Sequence, residues 1–307
     1  MIDLYGLWHD PIYLQTAEIV IGALFFLAGI CYMFHKSSPT LFAGWVSLRS
    51  WIFAAPLIFA VFALPRPWPL VFITWVAILS SKTFFQMVGM YHRSWFIWMT
   101  YIFILGLGYL IFTGEHPELY DISPMLFLGC IAVIPLVRNS AAQMIQYLSI
   151  TLVAFCFLGW SFMHMARLVQ FQGGELLVLY LYLLVEVSEN ASWAVSKAWG
   201  RIKPFSRITQ KVTLEGMVVA LIVTMVAAWG FRHLLPDRSK NFWIVAGLVA
   251  AIFGRFGDLL LSVIRRDLGI KNSGIFIIGR DDILSRVDKL IFVGPMYYYF
   301  YLLQLSQ

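Results

Sequence analysis

The sequence predicts an all-α fold: a polytopic membrane bundle of about ten transmembrane helices. Three observations carry this. First, 61% of the 307 residues are hydrophobic, only 12% are charged, and mean hydropathy is +0.80. Soluble domains carry roughly 25% charged residues, and half that number could not cover a soluble surface. Second, the apolar residues come in long continuous runs, each near the ~20 residues that a helix needs to cross a bilayer. Third, those runs do not alternate polar with apolar, which excludes an outer-membrane barrel. A soluble enzyme, a disordered chain and a disulfide scaffold are excluded by the same composition.

The runs fall in order at about 17–34, 95–112, 124–137, 147–163, 175–188, 213–231, 241–262 and 290–303. The stretch 45–91 holds two more, WIFAAPLIFAVFAL and PLVFITWVAILS, separated by PRPWP. Each of these cores is short, so it must borrow flanking residues or be partly re-entrant. The chain reads as an apolar N-terminal half, 1–165, and a C-terminal half, 166–307, that carries the chemically distinctive residues. The opening MIDLYGLWHDPIY lacks a basic segment, so no cleaved signal peptide is expected.

Net charge is +6, and its placement matters more than its size. With the loops numbered alternately, sixteen of the 22 Lys and Arg fall in one set and five in the other, which also holds Glu115, Glu118 and Asp121. By the positive-inside rule the basic set is cytoplasmic and both termini face outward. The setting expected is a bacterial inner membrane. No basic stripe interleaved with aromatics lies outside the spans, so nucleic acid is not an expected partner. Cys31, Cys130 and Cys156 lie scattered in apolar runs without a CxxC pair, and read as buried small hydrophobes. The six histidines show no i,i+4 pairing that would suit haem or a histidine metal centre. No pair of broken helices in matching halves suggests a transporter.

Charges inside spans cost ~2.5–3.5 kcal/mol each on insertion scales and face the bundle interior. Glu186 and Glu189 are three apart and share a helix face; Arg255 and Asp258 are likewise three apart. Arg255 and Asp258 either pair with each other or join a buried polar site at the cytoplasmic ends of these helices. In such a site carboxylates hold a divalent cation while Lys and Arg hold phosphates.

Residues 257–288, GDLLLSVIRRDLGIKNSGIFIIGRDDILSRVD, resemble the signature of the CDP-diacylglycerol synthase (phosphatidate cytidylyltransferase) family. That signature runs GD, S-x-x-K-R-x-x-G-x-K-D-x-G, P-G-H-G-G and D-R-x-D at the same gaps. Asp258, Ser262, Arg266, Gly269, Lys271, Gly274, Gly279, Arg286 and Asp288 fall in register, and Arg265 replaces a Lys. Upstream, GRIKPFSRITQKVTLEG (200–216) is similar to the family's G-(R/K)…S-P-K-K-T-x-E-G block through Gly200, Thr213, Glu215 and Gly216, with Thr209 for the Ser.

The resemblance implies transfer of CMP from CTP to phosphatidate or a related lipid phosphate, releasing pyrophosphate, with Mg²⁺ as cofactor. It implies Asp258, Asp288, Glu186 and Glu189 as the catalytic carboxylates. Lys211, Thr213, Ser262, Arg265, Arg266, Lys271 and Arg286 are implied to bind substrate phosphates. The sequence also departs from the signature: Val212 stands for a Lys, Asn272 and Ser285 stand for carboxylates, and Ile278–Asp282 replace the P-G-H-G-G turn. Asp281 and Asp282 are expected to relocate the lost metal charge, joining Asp258 and Asp288 around one ion. The alternative is a catalytically degenerate member that binds anionic phospholipid as a partner or scaffold subunit. A second copy or another membrane protein as partner stays open.

Overall fold

The computed structural model describes residues 6–34, 36, 39–235, 241–269, 277–278 and 281–306; for the first turns of one helix (39–50, in part) and for 277–278 and 281–282 it describes the backbone alone. The helices are α1 (Pro11–Phe34), α2 (Pro39–Phe62), α3 (Pro67–Met87), α4 (Ser94–Thr113) and α5 (Pro117–Val137). α6 (Met144–Ala154) runs through a π-helical stretch, Phe155–Ser161, into α7 (Phe162–Val169), making one continuous rod. Then follow α8 (Gly174–Trp199), α9 (Leu214–Gly230), α10 (Phe242–Asp267), a two-residue antiparallel ladder of β1 (Ile277–Ile278) and β2 (Asp281–Asp282), the short α11 (Ile283–Val287), and α12 (Leu290–Leu305). Counting α6–α7 as one and leaving aside the five-residue α11, ten rods of helix are present among the described residues. Eight are long and apolar enough to cross a bilayer. This is an integral membrane protein.

The uncertain pair at 45–91 resolves by extension. α2 and α3 reach 24 and 21 residues by recruiting flanking sequence, about 36 and 31 Å at 1.5 Å per residue. α2 does so with Pro56 in its interior. α3 starts on Pro67 and Pro69, whose fixed φ suits a first turn where the missing N–H costs nothing. α8 overshoots its apolar run, continuing through ENASWAVSKAW to Trp199. Those residues still form helix, and Gly200 ends it.

The bundle has an edge and a centre. α1 pairs chiefly with α2, and 6% of its apolar window is buried within the protein, against 61% for α8. α8 packs on α9, α10 and α7, while α12 packs on α10 and α7. The α6–α7 rod is continuous across residues 165–166 and touches α3, α4, α8 and α12. Its core includes Phe127, Phe155 and Ile104, all fully buried, with Phe127 and Phe155 stacked at 4.1 Å between centroids.

The loops sort to two ends. At one end, Arg66 Nε sits 3.5 Å from Glu175 Oε1, Arg167 donates to Asp121 Oδ1 at 2.8 Å, and the Leu7 amide donates to the Ala63 carbonyl. At the other, the two basic blocks meet: Arg266 Nη1 donates to the Ile208 carbonyl at 3.3 Å.

Candidate functional site

The block 200–216 is a clasp between helices. Thr213, extended at φ −124°, caps α9: its Oγ1 accepts from the Gly216 amide and donates to Ser196 Oγ at 2.9 Å near the end of α8. Glu215 accepts from the Arg201 and Ile202 amides, folding the loop back onto the start of α9. A Cβ on Gly216 would lie 2.1 Å from Ser196 Oγ and 2.8 Å from the Ser192 carbonyl, so only glycine allows α9 this close to α8. Val212 is 2% exposed. Its side chain points into the protein, whereas the neighbouring Lys211 is exposed.

The charged centre lies deeper. Glu186 sits midway along α8, 12 residues from Gly174 and 13 from Trp199, about 18 Å from either end. The sequence reading put it near a helix end, because the apolar run stops at 188 while the helix does not. Glu189 lies one turn nearer the basic end. Facing them is Lys289, which precedes α12 and is 7% exposed. Its Nζ stands 3.8 Å from Glu186 Oε1 and directly on Glu189 Oε2.

The backbone that delivers Lys289 is fixed. Asp288, 1% exposed, accepts from the Lys289 amide through Oδ1 at 2.7 Å, and its own amide donates to the Leu284 carbonyl at 2.9 Å. A Cβ on Gly257 would fall 1.9 Å from the Asp288 carbonyl oxygen. The glycine before Asp258 is therefore where α10 lets the chain ahead of α12 come into backbone contact. On α10, Arg255 Nη1 is 3.6 Å from Asp258 Oδ2, and the charges of Asp258 and Asp288 both act on this guanidinium. A cavity of about 10 Å³ lies among Ser188, Glu189, Gly254, Arg255, Asp258 and Lys289, room for about one water.

Two further arginines flank this centre. Arg265 Nη2 donates to Ser285 Oγ at 2.6 Å, tying the end of α10 to α11. Arg286 lies over the Trp51 ring, 4.5 Å from its centroid. It also lines an apolar cavity of about 270 Å³ between α2, α3, α8 and α11, with Phe53, Leu57, Trp75, Leu79 and Tyr182.

The structure thus brings Glu186, Glu189, Asp258 and Asp288 to one region, with Arg265, Arg266 and Arg286 toward the basic end. Ser262 is half-buried on α10. Lys211 and Thr213 belong to the clasp. Lys271 and Asn272 lie outside the described residues, as do the side chains of Asp281 and Asp282, whose backbone forms β2. Among the described residues, no three His, Cys, Asp or Glu side chains gather where a metal ion could be held. Glu186 and Glu189 face an ammonium, and Asp258 faces a guanidinium. These residues do not fit a resident Mg²⁺.

Sequence reasoning missed Lys289, which it counted only among basic loop residues. The available signal was its position: Asp288–Lys289 abuts the last apolar run with no spacer, which draws both into the bundle.

Residues 45–304 match the profile of the cytidylyltransferase family. The chain is 28% identical over 263 residues to the uncharacterized protein YnbB of Escherichia coli (strain K12), covering 82% of this chain and 85% of that one. It is 30% identical over 146 residues to the phosphatidate cytidylyltransferase of Staphylococcus aureus (strain COL), covering 47% and 54%. To the phosphatidate cytidylyltransferase of Haemophilus influenzae it is 29% identical over 133 residues, covering 42% and 46%. The matches to these two enzymes span about half of their length.

Proposed function

This chain belongs to the cytidylyltransferase family, and on that premise we propose that it transfers CMP from CTP to phosphatidate or a related lipid phosphate. In this reaction a phosphate oxygen of the lipid attacks the α-phosphorus of CTP. The bond to the β-phosphate breaks, and pyrophosphate leaves as the CDP-lipid forms. Such chemistry asks little covalent participation of a protein; it asks for alignment and for charge neutralisation as two polyanions approach.

The observation that carries the reading is a juxtaposition. The apolar cavity of about 270 Å³ suits acyl chains, and Arg286 in its wall is two residues from Asp288 in the charged centre. A lipid seated there would hold its phosphate near Arg286, with Arg265 and Arg266 toward the basic end for the triphosphate. The charge asymmetry of the loops supports reading this end as cytoplasmic, with the inner membrane of a bacterium as the proposed setting. A second reading, a non-catalytic member that binds anionic lipid, is favoured by the cavity of about 10 Å³ at the charged centre and by carboxylates already matched with Lys289 and Arg255.

The test is purified protein with labelled CTP, Mg²⁺ and phosphatidate, scored for pyrophosphate and a CDP-lipid. Formation of both supports the catalytic reading. Retained phosphatidate binding without product across several metals selects the second reading.

A further inference from the structure

We propose that Lys289 is the resident cation of this site: its ammonium stands between the carboxylates of α8 where a divalent metal ion would otherwise be needed. The inference deepens the reading above and rests on it only for what the site neutralises.

Two carboxylates one turn apart, Glu186 buried and Glu189 partly exposed, repel each other, and burial makes charging Glu186 costly unless a cation stands beside it. Here the cation is part of the chain. Lys289 Nζ contacts Glu189 and lies 3.8 Å from Glu186. Its position is set by backbone, since Asp288 holds the Lys289 amide and Gly257 admits the Asp288 carbonyl against α10.

While Lys289 is in place the metal alternative fails on room. Mg²⁺ demands near-octahedral oxygen ligation at about 2.0–2.1 Å and keeps several of its waters. With the ammonium in place the cavity at the centre is about 10 Å³, so a hydrated ion finds no room between Glu186 and Glu189 until Lys289 is shortened. An ammonium needs only three acceptors and no water shell of its own. The protein therefore folds and binds lipid with one of the two carboxylate charges on α8 already offset by Lys289, and any metal enters as part of the nucleotide substrate.

The experiment is Mn²⁺ binding to the purified full chain without nucleotide, followed by electron paramagnetic resonance alongside thermal unfolding. Wild type should show no saturable Mn²⁺, and a chelator should leave its unfolding temperature unchanged. Lys289→Ala should acquire a single Mn²⁺, be stabilised by it, and lose it again in Lys289→Ala/Glu189→Gln. Two results overturn the proposal: a Mn²⁺ bound by wild type and abolished by Glu186→Gln, or a folded Lys289→Ala that takes up none. Should Lys289→Ala not fold, the wild-type titration still decides. In that case the neutral triple variant Lys289→Met/Glu186→Gln/Glu189→Gln should fold again. Because the readout is cation binding, a protein that makes no CDP-lipid yet behaves this way sinks the catalytic reading alone.

Discussion

Two cations drawn into this bundle, the partly buried Arg167 and the buried Lys289, are held by opposite devices. At the end away from the basic loops, the Arg167 guanidinium lies between the Tyr120 and Tyr298 rings, 4.5 Å from each centroid, with one half-exposed carboxylate, Asp121, at 2.8 Å. A cavity of about 180 Å³ opens beside it. Buried His164 packs against the same tyrosines, its Nδ1 3.0 Å from the Trp160 carbonyl oxygen. Among the described residues Lys289 has no such rings; it faces Glu186 and Glu189. The contrast follows from the ions. A guanidinium is planar, weakly hydrated and stacks on aromatic faces, whereas an ammonium is a compact, strongly hydrated charge that needs oxygen acceptors. One cation is therefore spared water by π faces, and the other only by bringing carboxylates into the bundle.

The largest expected effect tests that difference. Lys289→Met leaves two carboxylates facing each other with their cation gone, and should cost about 3–5 kcal/mol. Arg167→Met strands only a carboxylate that reaches water, so it should cost about 1–2 kcal/mol, the sum of two cation–π contacts and one exposed ion pair. Thermal or denaturant unfolding in detergent measures both, and equal losses would break the comparison. Next comes Gly257→Ala. The added methyl meets the Asp288 carbonyl oxygen at 1.9 Å, and pushing the Asp288–Lys289 backbone away should cost about 1–3 kcal/mol. Combined with Lys289→Met it should add much less than its own cost, because the displaced group is then already uncoupled. The smallest is Thr213→Ala, which removes the α9 cap and the bond to Ser196. Its cost should be about 1 kcal/mol, seen as faster amide exchange in the first turn of α9, with unfolding otherwise little changed.

Much of the fold was legible because bilayer thickness makes apolar run length a direct signal. The run at 95–112 lies within α4, the run at 241–262 lies within α10 but for its first residue, the N-cap Asn241, and α2 and α3 grew from cores too short alone. Where polar residues continue a helix, as from Glu189 to Trp199, hydropathy stops short of the end, which is why Glu186 was placed too near the end of α8. The motif positions were legible as positions but not as roles. Thr213, Glu215, Gly216 and Gly257 turn out to close helices onto each other, a matter of Cβ clearances that no linear pattern states. Lys289 was legible only as a charge. Its depth depends on α11 packing against α3 and on Gly257 admitting the chain, both of them tertiary facts. The expected relocation of metal charge to Asp281 and Asp282 concerns side chains outside the described residues.

The most direct test of the central claim, that α8, α10 and the start of α12 are joined by a charge pair carried within the chain, is a double-mutant cycle on unfolding between Lys289→Met and Glu189→Gln. Groups in contact in a buried network couple by about 0.5–3 kcal/mol, whereas distant groups add within about 0.3–0.5 kcal/mol. The account predicts coupling of about 2–3 kcal/mol, the double variant being more stable than Lys289→Met alone. It also predicts simple additivity for Lys289→Met with Asp121→Asn at the far end. Additivity of Lys289→Met and Glu189→Gln would contradict it.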